Sequence, residues 1–110
     1  MSSIVRILIV DDSAYVRKVI RQMLSRSPFF EIVGAARDGR EALEMSADLK
    51  PDVVTCDLIM PELDGVGFIK AQMARRPVPI VVVRANTPGG YRPVKPALFF
   101  TLVEVKEFAV

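Results

Sequence analysis

The chain has 110 residues, 51% of them hydrophobic, and a formal net charge of +2 from 15 basic and 13 acidic side chains. That is the size of one small domain with one core, too apolar for disorder and too weakly charged for a nucleic-acid footprint. It has no histidine and a single cysteine, Cys56, which excludes a Ser-His-Asp triad, a Cys-His pair, a histidine-bound zinc and an internal disulfide.

Taken in order, the chain alternates strands and helices. Residues 4–10 are all but continuously apolar and read as a first strand, ending on Asp11-Asp12. Residues 13–26 read as a helix: Val16, Val19, Ile20, Met23 and Leu24 recur at helical spacing, and Asp12 or Ser13 can cap the first turn. Ser27-Pro28 ends it, and residues 30–36 form a second strand. Asp38 is the N-cap of the next helix, with Glu41 at the capping-box position. This helix carries Ala42, Met45, Ser46 and Leu49 along one side. Residues 51–56 are a third, β-branched strand that ends on Asp57. A loop fixed by Pro61 and the turn dipeptide Asp64-Gly65 follows. Residues 66–75 are a third helix with Val66, Ile69 and Met73 expected inward, and residues 80–83 a fourth strand.

Unbroken alternation of this kind predicts a right-handed, doubly wound parallel α/β sheet, flavodoxin-like with strand order 2-1-3-4-5. In that order strands one and three are neighbours at the switch point, so Asp11, Asp12 and Asp57 meet at one sheet edge. Each ionised pair about 4 Å apart repels by roughly 4 kcal/mol at an effective dielectric of 20. A bound cation or protonation relieves such a cluster. Oxygen donors without histidine or thiolate predict a hard ion, Mg²⁺ rather than Zn²⁺. Cys56 reads as a small buried strand residue.

The pattern breaks after Val83. Residues 1–83 balance acidic and basic side chains, so the positive excess lies in Arg84, Arg92, Lys95 and Lys106 against Glu104 and Glu107. Asn86-Thr87-Pro88-Gly89-Gly90-Tyr91-Arg92-Pro93 has two prolines and two glycines, a density no helix survives. Residues 97–105 are β-favouring and offer a last strand. The expected division is therefore a regular core, 1–83, and an atypical tail, 84–110, in the same domain. The fifth βα unit is expected to be atypical or incomplete and the edge of strand four loosely protected. A shifted reading frame, a truncation or a degenerate copy would each produce so abrupt a change. No apolar run is long enough to span a bilayer and Met1-Ser2-Ser3 leads straight into a strand, so neither a membrane nor a signal peptide is expected.

Val10-Asp11-Asp12-Ser13, then Asp57 with Met60-Pro61 and Asp64-Gly65, resemble the receiver domain of two-component response regulators over residues 4–83. Asp12-Ser13-Ala14 with Arg17, and Arg76-Pro77-Val78-Pro79-Ile80-Val81-Val82-Val83, most resemble the N-terminal receiver of chemotaxis methylesterases. The 2-1-3-4-5 order is also that of a chemotaxis receiver. The resemblance implies that Asp57 is a phosphoacceptor nucleophile. It implies that Asp12, Asp57 and the backbone carbonyl of Ile59 hold Mg²⁺, with Asp11 helping through water. A sensor histidine kinase is then the donor, an effector domain or output protein the recipient of the signal, and the cytoplasm the compartment. No esterase machinery is expected on this chain, which lacks histidine and length.

Two family positions depart. Arg84 stands where the family places a Ser or Thr after strand four, and Thr87 supplies a hydroxyl three residues late. Lys95-Pro96 has the family's dipeptide too early, and Lys106 has the right distance but is followed by Glu107. Thr87 and either Lys106 or Lys95 are the candidate phosphate-binding residues. A pseudo-receiver acting only through protein contacts is the alternative these departures raise. A haloacid-dehalogenase-like phosphatase fits less well, because its first two aspartates lie two apart. Asp11 and Asp12 are adjacent and point to opposite faces of a strand.

Overall fold

The structure is a computed structural model. It describes residues 3–57, 64–86 and 97–103, with only the backbone of 84–86 and 97–103. The elements are β1 (Val5–Val10), α1 (Ala14–Leu24), β2 (Phe30–Ala36), α2 (Gly39–Leu49), β3 (Val53–Cys56), α3 (Gly65–Arg75), β4 (Ile80–Asn86) and β5 (Ala97–Val103). They build one five-stranded sheet of order β2-β1-β3-β4-β5.

The sheet is parallel from β2 through β4, as alternating strands and helices require. Along β1 successive side chains go to opposite faces. Leu8 and Val10 enter a core with Ala36, Ala42, Val54, Cys56, Phe68, Ile69, Met73 and Ile80, so α2 and α3 cover this face. Ile7 and Ile9 enter the opposite core with Val16 and Ile20 of α1. A strand buried on both faces reads as an unbroken apolar run, which is what β1 is.

The strand order is the expected one and the fifth unit is atypical, as expected; what differs is that a strand does occupy the position beside β4. β5 lies beside β4 but runs antiparallel, from Ile80↔Val103 to Asn86↔Ala97. Chain length explains the direction: a parallel return needs a crossover of a dozen or more residues, usually helical. Only residues 87–96 separate the two strands, with three prolines and two glycines among them. β4 itself continues three residues past Val83.

The helix starts follow their capping residues. Ser13, not Asp12, caps α1, its Oγ accepting from the Val16 N–H at 3.2 Å. Asp38 caps α2 by accepting from the Glu41 N–H at 2.8 Å. The Glu41 carboxylate accepts from the Arg37 N–H at 3.3 Å, one residue earlier than a capping box would have it. Asp38→Ala should cost about 1 kcal/mol in chemical denaturation, the usual worth of such a cap. Asp64 caps α3 through the Gly67 N–H at 2.7 Å, so α3 begins at Gly65.

The inward faces differ from expectation in two places. Val66 is 38% exposed, and α3 instead buries Phe68, Ile69, Gln72 and Met73. Gln72 is tolerated inside because its Nε2 donates to the Arg76 carbonyl at 2.8 Å. Met23 of α1 is also exposed, leaving Val16 and Ile20 to carry that helix's buried contact.

Candidate functional site

Two strand ends build the site. The Asp11 N–H donates to the Ala36 carbonyl at 3.0 Å, and the Asp57 N–H to the Val10 carbonyl at 3.0 Å. These bonds extend the β1–β2 and β1–β3 ladders by one residue at the carboxyl edge, where an open α/β sheet presents its ligand crevice. Asp11, Asp12 and Asp57 each bring a carboxylate oxygen to within 4.8 Å of the others. Asp11 is buried, Asp57 half-buried and Asp12 exposed, so the cluster opens to solvent on the Asp12 side.

Asp11 carries the electrostatic strain. Burial, and then the charges of Asp57 and Asp12, push its carboxyl up to about 6. The Ser13 N–H, donating to its Oδ1 at 2.8 Å, and the nearby Arg17 guanidinium act in the opposite direction. Arg17 also donates from Nη1 to the Asp11 backbone carbonyl at 2.7 Å, pinning the turn that carries both aspartates. Neither contact was legible as part of the site. Ser13 reads as a helix cap, and Arg17 reaches back to Asp11 from the first turn of α1.

Cys56, next to Asp57, is fully buried, with its thiol pushed up to about 12 by burial and by Asp57 and Asp11. It is therefore a protonated packing group, neither thiolate nucleophile nor ligand. What remains for a cation is an all-oxygen donor set, which fits a hard ion such as Mg²⁺. Of the residues expected at the site, Asp11, Asp12 and Asp57 are brought together. Ile59, Thr87, Lys95 and Lys106 lie outside the described residues. Arg84 lies in β4, its side chain outside the description.

A doubly wound sheet that gathers three carboxylates at its switch point defines an α/β domain whose acidic edge could hold a cation. The particular family follows from the sequence: residues 7–91 match the response regulator receiver domain, and the chain belongs to that family. The match runs eight residues past Val83. A protein-glutamate methylesterase/protein-glutamine glutaminase of Symbiobacterium thermophilum is 50% identical over 86 residues, 78% of this chain and 24% of that protein. The response regulator domain of Thermotoga maritima CheB superposes with a TM-score of 0.73 at 40% identity, covering 79% of this chain and 65% of that one. A chain of the CheX-CheY-BeF3-Mg²⁺ complex of Borrelia burgdorferi superposes at 0.63 with 32% identity, covering 66% of this chain and 55% of that one. The chain thus spans about a quarter of the length of the curated methylesterase it matches. Receiver domains serve two-component signalling, accept phosphate from histidine kinases and bind Mg²⁺ at an acidic pocket. Among the described residues no helix is long and apolar enough to cross a membrane.

Proposed function

We propose that this chain is the phosphoacceptor receiver of a chemotaxis methylesterase-type response regulator, with Asp57 the residue phosphorylated by a sensor histidine kinase. The observation that carries the proposal is the convergence of Asp11, Asp12 and Asp57 within 4.8 Å at the ends of β1 and β3. A carboxylate oxygen of Asp57 attacks the phosphorus of the donor's phosphohistidine. The P–N bond breaks, and the departing imidazole takes up a proton as the aspartyl phosphate forms. Phosphoryl transfer asks for positioning and neutralisation of charge, and Mg²⁺, when bound, would supply the neutralisation.

Asp12 and Asp57, with the Ile59 carbonyl, would hold the ion. Asp11, the most buried of the three, would help through water. The methylesterase activity of the longer relatives is not assigned to this chain; the output belongs to an effector domain or partner protein. The cytoplasm is the compartment in which such a kinase would reach it.

Arg84 favours a second reading of the outcome, in which the chain is phosphorylated but switches poorly, as a pseudo-receiver would. A switch needs a group whose contacts differ between its two states. Arginine here replaces the hydroxyl that the family sets against a phosphoryl oxygen, and the tail, 84–110, offers Thr87 as a late hydroxyl and Lys95 or Lys106 for the family's lysine. Treatment with acetyl phosphate and Mg²⁺ should phosphorylate the protein while amide shifts in its NMR spectrum stay close to Asp57. Shifts spread across β4 and α3 would contradict the uncoupled reading. Absence of any phosphorylation would contradict the phosphoacceptor itself.

A further inference from the structure

The sheet ends on β2 at one side and, among the described residues, on β5 at the other. An edge strand offers a row of backbone N–H and C=O groups to any chain able to pair with them. Monomeric proteins guard such edges with charge, proline, bulges or a cover. β2 is guarded in two ways. It carries Glu31, which is exposed, and its register against β1 slips by one residue at Val33, between Ile32 and Gly34.

β5 has neither device. Ala97-Leu98-Phe99-Phe100-Thr101-Leu102-Val103 holds no charge, no proline and no glycine. Its pairing with β4 runs from end to end without a slip. Of the described elements, only β4 makes extended contact with it. In an antiparallel pair every second residue turns its backbone groups away from the partner strand. The outer side of β5 is therefore a straight, uncharged row of such groups.

The segment also complements itself. Laid antiparallel against a copy about Phe100, it sets Leu98 opposite Leu102, Ala97 opposite Val103 and Phe99 opposite Thr101, with Phe100 opposite its own equivalent. A two-fold axis brings any charge near the axis close to its own copy, so self-pairing penalises a charged strand most, and this strand carries none. Pairing two copies also closes the assembly. It uses both β5 edges and leaves one continuous sheet with a guarded β2 at each end, so growth stops at two.

We infer that two copies of this chain associate through β5, strand to strand and antiparallel, as a closed two-fold dimer with one sheet running through both. β4 separates this edge from the strand that leads to Asp57, and the inference does not rest on the phosphoacceptor reading.

The test is sedimentation equilibrium of the whole chain over a concentration series, with amide hydrogen exchange at both ends of the series. The protein should reach twice the mass of one chain, and exchange in residues 97–103 should slow as it does so. Thr101→Lys should weaken the dimer at least about tenfold, because it charges the edge and sets two like charges about 7–8 Å apart across the axis. Thr101→Glu should do the same. Mixing the two variants should restore a dimer, which misfolded variants could not do. A single-chain mass throughout, growth beyond two copies, a dimer untouched by both variants, or no recovery on mixing them overturns the proposal.

Discussion

Mg²⁺ binding should fall at least about tenfold in Asp12→Ala and in Asp57→Ala, each of which removes a direct charged ligand. It should also weaken in the wild type as pH drops below about 6, where Asp11 takes up a proton. The sign follows from the cluster. Protonating Asp11 removes one of three negative charges facing the ion, so metal and proton compete and binding releases a proton. Calorimetry in buffers of different ionisation enthalpy measures both the affinity and the proton release. Equal affinity at pH 5 and pH 7.5, or unaltered affinity in both variants, would contradict the metal site.

The same residue sets the second large effect, on stability without metal. Asp11 is raised from an ordinary 3.8 to about 6 in the folded protein. The folded state thus binds this proton more tightly than the unfolded one. Its contribution to stability is complete below pH 3.8 and is lost as pH rises through 6. A shift of that size corresponds to a loss of up to about 3 kcal/mol. Asp11→Asn cannot ionise, and its side-chain oxygen can still accept from the Ser13 N–H. With a chelator present, the variant should gain on the wild type by up to about 3 kcal/mol between pH 4 and pH 7. Urea denaturation of the pair at both pH values isolates this residue from the other titrating groups. Added Mg²⁺ at pH 7.5 should stabilise both proteins, and the wild type by more, because the variant keeps Asp12 and Asp57 but lacks the third negative charge. A constant difference between the two proteins across this range would show that Asp11 titrates normally.

Much of the architecture was legible because each local signal agreed with the next. β1 is apolar on both faces, α1 and α2 follow recognisable caps, and β3 ends on the carboxylate that topology carries to Asp11. The direction of β5 was not legible from its composition, since an apolar β-favouring stretch is the same read either way. The ten-residue link before it decides against a parallel return. The inward face of α3 was misread at Val66 because that helix is apolar around much of its circumference, and Phe68 fills the core instead. Gln72 was invisible as a core residue because its burial depends on a bond to the Arg76 carbonyl. At the site, the three aspartates were legible from strand order. The Ser13 and Arg17 contacts that hold Asp11 were not, because they arise from the turn between β1 and α1.

The central claim is that Asp57 is the phosphoacceptor, and peptide mass spectrometry after reaction with acetyl phosphate tests it most directly. With Mg²⁺ present, one phosphoryl group should appear on the peptide containing Asp57. It should be absent from Asp57→Asn and strongly reduced when the metal is chelated. A phosphoryl group on any other residue of the wild type, or equal labelling of Asp57→Asn, would contradict the account.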